Sequence, residues 1–389
     1  MVDLNDYFNP VSIDKKEHGH LSGAACFSHN ITIHTENTPV KDLGRFRIAI
    51  VGVPDGRNSP DEGSALGPDA IRNSLYQLSR IPGKSKIIDL GNMKRGVSFS
   101  DSVAGLTDIL TTLTEAKIFP MIIGGSSALA AAVDRCLSAS GESYTLATID
   151  SRIDFQHERK ESDSLSYLYP ILYGSRSSVG HFINIGYQTF LNDQQTINRL
   201  LKKRYELVRI GDVRQAIHFM EPLLRDSHAA IFDISAVRQS DAPGTFSPSP
   251  NGFYGEEICL LARYAGISDS LRIFGLFEVN PSLDQRNQTS NLAAQIIWFF
   301  LEGFAQKQYE SPVLSEGTSG RFTKYHVRVT DLDDDLIFIK SNLTDRWWFE
   351  IRTLFGENRY ISCSQEDYLR ANRNEVPDRW IRAVDRLSS

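Results

Sequence analysis

Tyr144-Thr145-Leu146-Ala147-Thr148-Ile149 runs directly into Asp150-Ser151-Arg152-Ile153-Asp154. The first six residues are apolar or β-branched on both alternating faces, the pattern of a short strand covered on both sides. The run stops at a carboxylate. The same arrangement occurs twice more: 119–123 ends at Gly124-Gly125-Ser126-Ser127, and 229–232 ends at Asp233-Ile234-Ser235. Three strand-like runs that each stop at a polar cluster predict one common rim.

Five further runs of this type lie at 46–53, 86–90, 181–187, 205–210 and 271–277. The stretches 100–116, 128–139 and 255–265 between them have helical periodicity. Strand and helix in alternation imply right-handed crossovers. The predicted fold is α/β: a three-layer α/β/α domain around an eight-stranded, mainly parallel sheet. Ligands of such sheets bind beyond the carboxyl ends of the strands. Gly124, Asp150, Asp233 and Glu278 all fall at such ends.

The motifs carry a family resemblance, in order along roughly 45–305. Gly124-Gly125-Ser126-Ser127, Asp150-Ser151-Arg152-Ile153-Asp154 and Asp233-Ile234-Ser235 resemble the metal-ligand motifs of the arginase, agmatinase and formimidoylglutamase (ureohydrolase) family. That family writes them Gly-Gly-Asp-His, Asp-Ala-His-x-Asp and Asp-x-Asp. Gly52-Val53-Pro54-Asp55 through Gly67-Pro68-Asp69-Ala70-Ile71-Arg72 is similar to the family's opening strand, loop and helix start. Ala242-Pro243-Gly244-Thr245 and Glu278-Val279-Asn280-Pro281 are similar to its Ala-Pro-Gly-Thr and Glu-x-Asn-Pro. The resemblance implies an arginase-like fold and a site built for two manganese ions. It implies that Asp150 and Asp233 occupy bridging positions and that Asp154 binds one ion. It also implies that Glu278 meets the guanidinium side of a substrate.

Three ligand positions differ from the family pattern. Ser127 and Arg152 stand where the family has histidines, and Ser235 where it has an aspartate. Two ions held by carboxylates and imidazoles would generate a hydroxide that attacks an amidine carbon. A guanidinium cannot deprotonate to become a ligand. Asp150, Asp154, Asp233 and Arg152 together leave two negative charges, which a cleft must compensate. One divalent ion, another basic residue or a protonated carboxylate would do so. The favoured expectation is an Arg152 guanidinium bridging Asp150 and Asp233 in place of the second metal. No cofactor is expected except one weakly held Mg2+ or Mn2+ at Asp150, Asp154 and Asp233. The same aspartates also read as structural, capping helices or bonding Arg152. Glu278 reads equally as a substrate contact or as a partner of Arg152 or Arg286.

Other candidates carry less. Ser126 and Ser127 have no G-x-S-x-G elbow and no assignable base, so they read as turn serines. Asp331-Leu332-Asp333-Asp334-Asp335 lacks the glycine and glutamate of a calcium loop and reads as a hairpin turn. His18 and His20 are spaced like a minimal metal clip without further ligands. His157 follows Asp154 too closely for the family's downstream histidine.

Composition sets the class. The chain has 389 residues, 41% hydrophobic and 23% charged, with a formal net charge of −6. That is an ordinary globular balance, and it offers no basic stripe for nucleic acid. Cys26, Cys136, Cys259 and Cys363 have no framework spacing, which points to a reducing compartment. No signal-like start or membrane-length apolar run is read, so the expected location is the cytoplasm.

Three segments are expected. Residues 1–44 wrap the core, with a minor strand near 31–35. Residues 45–309 form the arginase-like domain. Residues 310–389 form a C-terminal α+β extension, with strands near 322–330 and 336–341 and helix over 364–387 broken at Pro377. The expected function is a pseudoenzyme with a structural, ligand-binding or protein-interaction role. Its cleft would take a small cationic or amide ligand, and the extension would contact a second copy or another protein. The alternative is a working formimidoylglutamase- or agmatinase-type hydrolase of linear amidine C–N bonds using one divalent ion.

Overall fold

The computed structural model of the chain describes all residues except 1–3, 13–20, 22, 84–85, 157–162, 176, 313–319, 355 and 388–389. His18, His20 and His157 therefore lie outside the described residues. The strands of the main sheet are β1 (Phe8–Asn9), β2 (Thr32–Ile33), β3 (Ile48–Val53), β4 (Ile87–Met93), β5 (Phe119–Gly124), β6 (Tyr144–Ile149), β7 (Val179–Tyr187), β8 (Glu206–Arg209), β9 (Ala229–Asp233) and β10 (Ile273–Phe277). Each of the eight expected runs forms a strand. These eight, β3 to β10, are all parallel, in the order β4-β3-β5-β10-β9-β6-β7-β8. The minor strand near 31–35 appears as β2, parallel to β4, and β1 adds an antiparallel edge that the sequence reading did not anticipate.

The helices are α1 (Gly67–Leu75), α2 (Phe99–Glu115), α3 (Ala130–Ser138), α4 (Leu168–Tyr173), α5 (Gln194–Lys202), α6 (Ile210–Gln215), α7 (Met220–Arg225), α8 (Gly255–Gly266) and α9 (Gln288–Ala305). Side-chain alternation along the strands divides the core in two. Ile48 and Ile50 of β3 join a cluster with α1, α8 and α9. Ala49, Val51 and Val53 join the other, with α2 and α3. Both faces are covered, so strands apolar on both faces are stable here. Truncating one such side chain, as in Ile50→Ala, costs about 2–5 kcal/mol. Helix starts follow local chemistry. Ser98 and Asp101 close a capping box on α2, and Pro68 sits in the first turn of α1, where no N–H is required.

The C-terminal segment forms a second sheet from β11 (Phe322–Val327), β12 (Leu336–Ser341), β13 (Trp347–Arg352) and β14 (Asn358–Cys363), all antiparallel in sequence order. The helices α10 (Gln365–Asn372) and α11 (Asp378–Leu387) cover it. The aspartate run 331–335 joins β11 to β12 as a hairpin. The break at Pro377 separates α10 from α11. The sequence reading assigned no strand to β13 or β14. The first half of β14 is largely exposed, so its apolar pattern is weak.

This unit is joined to the main domain by buried cations. Arg225, at the end of α7, donates to the carbonyls of Trp347 and Cys363, both at 3.1 Å, with its guanidinium 4.6 Å from the centroid of the Trp348 ring. Arg379 of α11 donates to both oxygens of Glu206, at 3.0 and 3.2 Å, and to Asp226 at 2.8 Å. Among the described residues, no helix is long and apolar enough to cross a membrane.

Candidate metal centre

Insertion of β10 and β9 between β5 and β6 makes four strand ends neighbours. In register, Phe277 lies beside Asp233 and Phe232 beside Ile149. Residues that follow these positions must therefore meet above the sheet. Gly124 and Gly125 let the backbones close up. A Cβ on Gly125 would sit 2.2 Å from the Asp55 carbonyl oxygen, and one on Gly124 2.6 Å from the Phe277 ring. In return, the Gly125 carbonyl accepts the Glu278 N–H at 2.9 Å.

Asp150, Asp154 and Asp233 converge there. All three are buried, and one oxygen from each lies within 4.8 Å of the others. Two of them end their strands in the same way. Asp150 Oδ1 accepts the Arg152 N–H at 2.9 Å, and Asp233 Oδ1 accepts the Ser235 N–H at 2.8 Å. These Asx turns fix each carboxylate through one oxygen.

The electrostatics call for a cation. Burial, followed by the charges of Asp154 and Asp233, pushes the Asp150 carboxyl well above the usual range. Burial and then Asp233 do the same to Asp154. Burial also raises Asp233. Such shifts arise where like charges share a dry site. Three hard oxygen donors fit a hard divalent ion such as Mn2+ or Mg2+.

Glu278 stands beside this triad, with burial and then Asp233 raising its carboxyl to about 7. Its backbone has φ of 64°, a left-handed conformation rare for glutamate. Such strain clusters at functional sites. Its carboxylate accepts from the Ser59 hydroxyl at 2.5 Å, the Ser127 N–H at 2.7 Å and the Ser127 hydroxyl at 3.2 Å. Neither Arg152 nor Arg286 pairs with it among the described residues. Arg286 lines a separate cavity with Asp241.

The expected ion pair of Arg152 with Asp150 and Asp233 is not formed. Arg152 meets Asp150 through its backbone N–H, while its side chain lines the cavity above the triad. Its charge still favours ionised Asp154 and Asp233, but at longer range than a salt bridge. The Asx turn already engages the Asp150 oxygen from the backbone side and lets the long side chain run along the cavity wall. Ser235 also lines the cavity. Sequence reasoning missed Ser59, because nothing in the loop after β3 marks one serine among its polar neighbours.

The cavity has a volume of about 30 Å³, and Pro60, Leu165 and Phe246 contribute to its walls. That is the space of about one water molecule.

The comparisons with known proteins agree with this fold. A sequence model described as "Arginase family" matches residues 46–302. The chain belongs to the arginase family. A formimidoylglutamase of Corynebacterium efficiens is 25% identical over 256 residues, which cover 62% of this chain and 78% of the relative. One from Bacillus subtilis is 22% identical over 277 residues, covering 66% and 86%. Among solved structures, Trypanosoma cruzi formiminoglutamase with Mn2+2 superposes with a TM-score of 0.64 at 20% identity, covering 69% of this chain and 96% of that one. The Bacillus subtilis formimidoylglutamase structure gives a TM-score of 0.66 at 19% identity, covering 76% and 97%.

Proposed function

We propose that this chain is a formimidoylglutamase-type hydrolase of linear amidine C–N bonds that works with one divalent cation. The observation that carries this is the convergence of Asp150, Asp154 and Asp233, in a chain whose named relatives are formimidoylglutamases. When bound, the cation supplies Lewis acidity and a water activated near neutral pH. Asp150, Asp154 and Asp233 would hold it, each offering one carboxylate oxygen. Ser127 contributes no imidazole and is committed to Glu278, so one ion is expected rather than two. Glu278, fixed by Ser59 and Ser127, offers a carboxylate to an amidinium N–H. Arg152 brings a fixed positive charge beside the carboxylates.

The cavity volume favours a second reading. About 30 Å³ admits an ion or a water but no amidine. In that reading Pro60, Leu165 and Phe246 keep the cleft closed, and the protein is a pseudoenzyme that retains a cation and a binding or interaction role.

The test is metal analysis of purified protein together with formamide release from N-formimidoylglutamate, and urea release from agmatine and arginine as further substrates. Cation-dependent turnover that Asp150→Asn abolishes supports the hydrolase. One bound cation without turnover supports the pseudoenzyme. Failure to bind any divalent cation removes both.

A further inference from the structure

A cavity of about 640 Å³ opens at the opposite rim of the sheet. Phe46, just before β3, and Ile87, at the start of β4, line it. The six residues of β3 put it roughly 20 Å from the carboxylate rim, at about 3.3 Å per residue. Its volume is typical of a small-molecule site.

Its lining is strongly biased in charge. Arg45, Arg80 and Lys86 line it together with His29, and among the described residues no aspartate or glutamate does. Among the described residues, none of these three cations has a carboxylate partner. The Arg45 guanidinium stacks 4.7 Å from the centroid of the Phe46 ring. In a chain of net charge −6, three unpaired cations at one cavity are not background. Ile31 and Ile81, both half-buried, supply an apolar side.

The cavity is built by the N-terminal segment lying against the end of α1. The Phe27 N–H donates to the Leu78 carbonyl at 2.7 Å, and the Arg80 N–H to the Ala25 carbonyl at 2.9 Å. Cys26 and Ser79 form an isolated antiparallel bridge. Phe27, His29, Ile31 and Arg45 all precede residue 46, where the arginase-family match begins. Much of this cavity therefore lies outside the part of the chain that the family accounts for.

We propose that this cavity binds an organic phosphate, a phosphate monoester with a flat or apolar body. Two guanidinium groups and an ammonium match a phosphate dianion, because guanidinium forks bond phosphate oxygens in pairs. The apolar side then receives the body of the ligand.

Isothermal titration of the full chain with AMP tests this, with inorganic phosphate and adenosine as separate arms. AMP should bind, adenosine should not, and inorganic phosphate should bind more weakly than AMP. AMP binding should weaken with added salt. Arg45→Gln combined with Arg80→Gln should raise the AMP Kd about ten-fold or more. Both side chains are exposed, so the double variant should keep its circular dichroism spectrum and its divalent cation content. Absence of AMP binding at about millimolar concentration overturns the proposal. Unchanged AMP binding by the folded double variant also overturns it. Equal affinity for phosphate and AMP makes this an ion site and overturns the organic ligand.

Discussion

Ser127 donates twice to Glu278, through its N–H at 2.7 Å and its hydroxyl at 3.2 Å. The residue at a family histidine position thus serves a carboxylate across the cleft. It fixes the strained Glu278 at the edge of the aspartate triad and takes no place among the groups that can hold a cation.

The first prediction follows from the crowded carboxylates. Glu278 has its pKa raised from about 4.5 in the unfolded chain to about 7, and the three aspartates are raised as well. The folded state then holds more protons than the unfolded state between those values, so stability falls as pH rises. In EDTA, the thermal midpoint should drop from about pH 5 to about pH 8. Mn2+ or Mg2+ should reverse the drop, and Asp154→Asn should remove that rescue. A midpoint that does not respond to divalent ions at neutral pH would sink the idea.

Arg152→Ala should change stability by under about 1 kcal/mol, since no ion pair is lost. It should tighten divalent cation binding, because a positive charge leaves the cavity wall. Urea denaturation and cation titration read the two effects separately. A large destabilisation would mean that the guanidinium bridges the carboxylates after all.

Restoring the family's ligands should restore its stoichiometry. Ser127→His, Arg152→His and Ser235→Asp together should raise manganese content from one ion per chain toward two, as measured by elemental analysis. Arg152 and Ser235 already line the cavity, and Ser127 lies across from them at Glu278. If the triple variant folds and still binds a single ion, the strand ends are spaced differently from those of the family.

Arg379→Ala should cost about 3–5 kcal/mol, because it strands the buried Glu206 without its guanidinium. Burial is the largest single influence and works against ionisation of Glu206, but Arg379, His181 and Arg382 together outweigh it and hold the carboxyl at about 2. A depressed carboxyl stabilises the fold above its unfolded pKa. That contribution should fade as pH falls from about 4.5 through about 2, and Arg379→Ala should flatten this limb. Deleting residues 310–389 should destabilise the main domain in the same way, because it also removes the carbonyls that Arg225 bonds. Equal urea midpoints for the truncated and full chains would show that the extension adds nothing to the core.

Short continuous apolar runs were enough to place the eight parallel strands, since a strand covered on both faces is apolar on both. Asp150, Asp233 and Glu278 were legible because they follow or end those runs and parallel strands bring their carboxyl ends to one rim, and Asp154 was legible through the resemblance of its motif to the family's. What the sequence did not carry was the partner of each polar group. The order β5-β10-β9-β6 decides that Ser127 reaches Glu278, 151 residues further on. It also decides that Ser59 reaches the same carboxylate. The cavity lined by Arg45, Arg80 and Lys86 was equally hidden, because these residues look like ordinary surface charges until the N-terminal segment packs across the end of α1. Periodicity is a local property and survives in the sequence. Hydrogen-bond pairing, cavity size and charge compensation depend on which distant segments share a few ångströms of space, and only the tertiary structure decides that.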